Sequence, residues 1–196
     1  MKMRQFSIAA LTMLIAFGVT NCKKEEQEPQ KNIVKLGAQD NETQKGFFSV
    51  SEKTTHTLQE AYENQDKVDI FCFYYVEEDY TNETALAGPD SKVKGVFSEI
   101  DAAEPNPLDP REWELQRGTR FHMVEDLTKE EYDALTNGDQ LIEDTYSEDD
   151  GRRVVSLLEV DDIVAFKTED GTFGLLIVTE VIPGNDGVIE FEYKTR

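Results

Sequence analysis

The chain has 196 residues, with 41 acidic and 20 basic side chains and a formal charge of −21. That balance argues against nucleic-acid binding, because holding phosphate takes Lys and Arg to displace counterions, and against docking on anionic lipid headgroups. It favours a solvated acidic surface and permits cation binding without requiring it.

The N-terminal segment has the parts of a secretory signal. Lys2 and Arg4 supply a positive start, and Phe6 to Val19 carries no charge. A span needs about 20 apolar residues, so this run is short for a transmembrane helix and suits a signal peptide. It ends at Val19-Thr20-Asn21-Cys22, which resembles the lipobox of bacterial lipoproteins, with Asn21 where a small residue is usual. The resemblance implies removal of residues 1–21 and lipidation of Cys22, whose thiol is the nucleophile that carries the lipid. Cleavage leaves 18 basic against 41 acidic residues, a balance of −23. Lys23-Lys24-Glu25-Glu26-Gln27-Glu28 resembles the charged export tag of Bacteroidota-type surface lipoproteins. The expected address is therefore the outer membrane, lipid-anchored and facing the exterior, with a periplasmic orientation as the alternative.

Residues 22–45 read as a lipidated cysteine and a flexible charged tether. Only Ile33, Val34 and Leu36 break the polarity, too little apolar surface to offset ordering entropy. Residues 46–196 read as one globular domain, long enough to bury a single core.

Phe47 to Ser51 and Val68 to Val76 are strand candidates. The second is apolar on both faces, which predicts a central strand. Cys72 lies inside it and reads as a small buried hydrophobe rather than a nucleophile. Thr57-Leu58-Gln59-Glu60 and Thr128-Lys129-Glu130-Glu131 have the capping-box pattern, and each predicts a short helix. Asp109-Pro110-Arg111-Glu112 predicts a third, running to Gly118. Thr119 to Val124 is a strand candidate. Ala87 to Pro110 is broken by Gly88, Pro89, Pro105 and Pro107 and reads largely as loop. Three strands follow: Asp162 to Thr168, a turn at Glu169-Asp170-Gly171, Phe173 to Ile182, a turn at Gly184 to Gly187, then Ile189, Phe191 and Tyr193 alternating with polar residues. They predict an antiparallel C-terminal meander. The fold class is mainly β: an antiparallel barrel or sandwich with two or three short helices.

The run from Val160 to Leu175 resembles the closing segment of a group of uncharacterised Bacteroidota-type surface lipoproteins. Val68-Asp69-Ile70, Leu86-Ala87-Gly88-Pro89-Asp90, and Thr119-Arg120-Phe121 ahead of Leu127-Thr128 fit the same group. The resemblance covers most of residues 46–196. It implies an exported β-rich domain and carries no activity and no functional residues.

Chemistry is sparse. His56 and His122 lack motif partners and read as surface or capping residues. There is no zinc spacing, no nucleophile elbow and no phosphate loop. No catalytic residue and no cofactor is implied. Glu148-Asp149-Asp150, followed by Gly151, is the best candidate cation loop, although it lacks the spaced carboxylates of a calcium hand. Tyr80 and Trp113, both in polar settings, are the candidate exposed aromatics for a ligand. These features favour a non-enzymatic binding or accessory module for a glycan or protein, with the membrane engaged through Cys22 and no nucleic acid. The alternatives are a carboxylate-dependent hydrolase of extracellular polymers and a structural subunit of an envelope complex.

Overall fold

A computed structural model describes residues 31–75, 83–99 and 102–196. The signal segment, Cys22 and residues 23–30 lie outside them, as does Tyr80. Thirteen elements form the framework among the described residues, in the order β1 (Asn32–Gly37), β2 (Phe47–Ser49), β3 (Thr54–His56), α1 (Leu58–Glu63), β4 (Ile70–Tyr75), β5 (Glu83–Ala87), β6 (Arg120–Met123), α2 (Lys129–Ala134), α3 (Gln140–Asp144), β7 (Val154–Ser156), β8 (Ile163–Lys167), β9 (Phe173–Ile182) and β10 (Val188–Thr195). They build two antiparallel five-stranded sheets, ordered β1-β10-β9-β8-β6 and β3-β2-β4-β5-β7. A single bridge, Phe121 to Arg152, links their edges. The sheets do not close into a barrel; the fold is a sandwich.

The core between the sheets is built by alternation. Val34, Leu36, Val164, Phe166, Leu176, Val178, Ile189 and Phe191 of the first sheet meet Phe48, Ile70, Cys72 and Leu86 of the second. The rings of Phe48 and Tyr193 meet edge to face at 5.4 Å across the interface. Cys72 is buried, and burial pushes its thiol up to about 12, which keeps it protonated and inert.

Each sheet is also covered on its outer face. Helices α2 and α3 place Tyr132 and Ile142 against Ile163, Ala165, Leu175 and Ile177. On the other sheet, Phe47, Phe71 and Phe73 pack under Ala61 of α1, Phe97 and Trp113. Double coverage is why β4 and β9 are apolar at successive positions. It also buries two of the polar residues that alternate along β10. Glu192 and Lys194 are buried beneath α2, where Lys194 Nζ donates to the Tyr132 carbonyl at 2.6 Å and sits 3.9 Å from the centre of its ring. Burial lowers the Lys194 pKa, against the pull of Glu192.

In β9 the pairing register shifts by one residue, Phe191 facing Val178 and Glu190 facing Glu180. Thr179 is the extra residue. The bulge returns Val181 to the core face although it lies three residues from Val178. Across the β8–β9 pair, Gly174 faces Phe166, whose ring lies where any β-carbon at 174 would stand.

Both capping boxes form as expected, Thr57 with Glu60 and Thr128 with Glu131. The third expected helix does not run to Gly118. It is one 3-10 turn at Pro110–Glu112, ended by extended backbone at Trp113. α3 was not anticipated; it begins two residues after Asn137-Gly138.

The tether is corrected more substantially. Residues 32–37 are not flexible linker but the edge strand β1, paired along its whole length with β10. Val34 and Leu36 point into the core, and Lys35 points out and pairs with Glu180. The folded body therefore begins at Lys31 rather than Gly46. Burying Val34 and Leu36 contributes about 1.5–3 kcal/mol each. A chain of residues 46–196 should thus lose about 3–6 kcal/mol, much of a typical domain's total of ~5–15. Urea unfolding of 31–196 should show one cooperative transition, and 46–196 should be largely unfolded or aggregated. Equal midpoints would mean that β1 adds nothing.

Candidate functional site

Two features stand out: a cluster of ion pairs at one end of the sandwich and a hollow on the outer face of the second sheet.

The cluster gathers four of the short segments noted in the sequence. Asp69, just before β4, is 1% exposed. Its Oδ2 accepts from Val50 N–H at 2.9 Å and its Oδ1 from Arg117 Nε at 2.9 Å. Arg117 also donates to the Asp66 carbonyl and pairs with Asp170 in the β8–β9 turn. Next to it, Arg120 makes a two-pronged contact with Asp90 at 3.0 and 2.7 Å, and Arg153 reaches the same carboxylate. Asp66, Asp69 and Asp90 belong to the second sheet's connections, Arg117, Arg120 and Asp170 to the first's, so the cluster ties the layers together. Both Asp69 oxygens are engaged, which leaves no lone carboxylate for acid–base work. The cluster is structural.

Burial pushes the Asp69 carboxyl above its ordinary value of 3.8, with Val50 N–H and Arg117 offsetting part of the rise. Burial also works against the Arg117 charge, but attraction to Asp69 and Asp170 more than offsets it, and its pKa is raised. The asymmetry follows from hydration: Asp69 has lost nearly all its water, while Arg117 keeps some.

The hollow arises because the covering layer is incomplete. Trp113 and Phe97 roof Phe47 and Phe71. Further along β4 the roof ends, and among the described residues the segment after the Pro89–Ser91 turn passes over the sheet. What remains is a groove of about 390 Å³, within the range usual for small-ligand sites. Phe73, Tyr75, Ala85 and Val154 form its floor, and Val93 leans in from the overlying segment. Ala85 lies opposite Phe73 in the β4–β5 pair, and its small side chain leaves room beside the ring. Phe73 and Tyr75 meet edge to face at 6.1 Å. Lys92 and Lys94, both exposed, stand on the lip on either side of Val93. Glu83 and Ser156 complete the lining.

The expected site residues fare differently. Trp113 is not an exposed platform: it is 4% exposed, its Nε1 donates to the Leu108 carbonyl at 2.8 Å, and its ring packs 5.8 Å from Phe47. A Pro-rich loop looked polar but supplied the acceptor that a buried indole needs. Glu148, Asp149 and Asp150 form no shared cation site. Glu148 pairs with Lys167, and Asp150 accepts from Ser147 Oγ at 2.7 Å. Among the described residues no group of three metal-ligating side chains comes together. His56 is buried on β3, not on the surface. Tyr80 and Cys22 lie outside the described residues. The groove joins residues 73–75 and 83–94 to 154–156. Its one local sign is Val93 between two lysines, which composition alone does not distinguish from loop.

No family model matches the chain, and no curated protein matches it. Among solved structures it is similar to a DUF4466 family protein from Parabacteroides merdae, with a TM-score of 0.50 and 14% sequence identity over 85% of this chain. The match covers 54% of the other protein, so the chain spans about half its length. The likeness is one of fold.

The cluster makes a stability prediction. Asp69→Ala strands the Val50 N–H and leaves a partly buried guanidinium without its main acceptor, which should cost about 3–5 kcal/mol. Asp69→Asn keeps an acceptor for Val50 and should cost less. Because the folded pKa lies above the unfolded one, the Asp69 contribution is full below the unfolded value and is lost as pH rises through the folded one. Unfolding curves from pH 3 upward should show this decline in the natural chain and lack it in Asp69→Asn.

Proposed function

We propose that the chain is a lipid-anchored envelope protein whose domain is a non-enzymatic binding module, with the groove over β4, β5 and β7 as its ligand site. The observation that carries the reading is the groove itself. It is a formed hollow with an aromatic and aliphatic floor and a few polar groups at its rim, the composition that suits a ligand with one apolar face. Anchoring rests on the signal segment and on Cys22 at its end.

The connectivity suits this arrangement. Eight residues separate Cys22 from Lys31, a reach of at most ~30 Å when fully extended. Lys31 enters β1, which advances about 20 Å over its six residues. Just past its far end, Gln39 exchanges two 2.8 Å hydrogen bonds with the backbone of Tyr74. The Tyr75 end of the groove is thus remote from the point where the anchored chain would enter.

Two measurements test the reading. In the bacterium, Cys22→Ser should abolish incorporation of labelled palmitate and release the protein from the membrane fraction; retention of label would overturn the anchor. Thermal melts of the domain against soluble oligosaccharides and peptides should find a ligand that raises the midpoint by several degrees, since saturation at a hundred times Kd adds about 2.7 kcal/mol. Ser156→Trp, which fills the groove from β7, should remove that rise. A rise that survives this substitution would place the ligand elsewhere.

A further inference from the structure

Most of the basic side chains in this acidic protein are held internally. Among the described residues, twelve of sixteen Lys and Arg side chains pair with carboxylates. The four that do not are Lys53, Lys92, Lys94 and Arg152. Lys53 lies in the β2–β3 turn. Of the other three, Lys92 and Lys94 stand on the lip of the groove, and Arg152 lies in an adjoining hollow that shares Val154 and Ser156 with it and is also lined by Asp150. Glu83, the acid in the groove lining, has a partner of its own.

With twice as many acids as bases, a cation on this surface readily finds a carboxylate. The two on the lip of this aromatic-floored groove find none and leave local positive charge directed at solvent. The overall field repels anions, but beyond about 8 Å it is screened at physiological salt, and contacts at the groove are set by the nearest charges. The floor asks for a flat apolar face, which a pyranose ring presents through its axial C–H groups, and the rim asks for carboxylates on that ring's edge.

We propose that the groove binds a carboxylate-bearing oligosaccharide of the uronic-acid type, its sugar face on Tyr75 and Val154 and its carboxylates on Lys92 and Lys94. The inference rests on the groove being the ligand site and adds the chemistry of the ligand. Lysines suit such a ligand because each is a flexible point charge that follows carboxylates spaced along a chain.

The test is calorimetric titration of the full mature protein, in detergent, with oligogalacturonate. Neutral cello-oligosaccharide of equal length and a short poly-glutamate serve as comparisons. Oligogalacturonate should bind, weaken as salt rises, and lose at least tenfold in affinity in the double variant Lys92→Glu/Lys94→Glu. Lys53→Glu should leave binding unchanged, and melting midpoints of all variants should match, since none of these side chains is buried. Equal binding of the neutral sugar would overturn the acidic specificity while leaving the groove as a site. Equal binding of poly-glutamate would show that charge alone suffices and overturn the saccharide. Binding that survives Lys92→Glu/Lys94→Glu but is lost in Ser156→Trp would keep the groove and remove the lysines from it. No binding of any probe would overturn this proposal, and the groove itself falls only if Ser156→Trp also leaves every ligand-induced melting shift intact.

Discussion

The sandwich hangs on a carboxylate that water does not reach. Asp69 ends the connection from α1 and starts β4, and its two oxygens hold the backbone of Val50 and the guanidinium of Arg117. The first contact fixes β2 against β4 within one sheet. The second fixes the approach to β6 in the other. An isolated charge in that position would be costly, so the site demands both partners at once, and that demand is a constraint on geometry rather than a surplus of stability. Arg117 extends it to the β8–β9 turn through Asp170, and Arg120 to the end of β5 through Asp90. Segments far apart in sequence thus share one polar junction.

The opposite end of β4 is held in a different way. There the side-chain amide of Gln39 substitutes for a neighbouring strand and satisfies both the N–H and the carbonyl of Tyr74. Between the ionic end and the amide end lies the apolar interface of the two sheets. The strand that joins them, β4, is central in its sheet, and its outward aromatics run from Phe71 under the roof to Tyr75 at the groove. The groove is where the roof stops, so the same strand that organises the core also supplies the floor of the candidate site.

How much of this was legible follows from the range of each signal. Local signals read correctly: Thr57 with Glu60, Thr128 with Glu131, and Asp170-Gly171 all act within four residues. The long apolar strands β4, β8, β9 and β10 also read correctly, because their hydrophobic content exceeds anything a loop carries. Two shorter strands, β1 at an edge and β5 inside its sheet, did not. In β1 only Val34 and Leu36 face the core, and the polar neighbours that an edge strand shows to solvent made the segment look like linker. In β5, Ala85 and Ala87 are weak strand formers placed by the packing of Phe71 and Phe73 above them, a tertiary cause with no local trace. The expected helix after Pro110 failed because Trp113 gains more by turning its ring under the sheet than one more helical turn would provide.

The candidate site was the least legible part, and the reason is physical. A fold can be read from residues that must be apolar, whereas a groove is made by what is missing above them. Phe73 is as buried as Phe71 and carries the same sequence signal. Only the path of the segment carrying Lys92 and Lys94, fixed at one side by Asp90 in the ionic junction, decides that one aromatic is roofed and the next is left beside an open hollow. The junction that locks the two sheets therefore also sets where the roof runs out. A change at Asp90 that leaves the core intact would still shift the lip of the groove, so the candidate site depends on the structural cluster without sharing any residue with it.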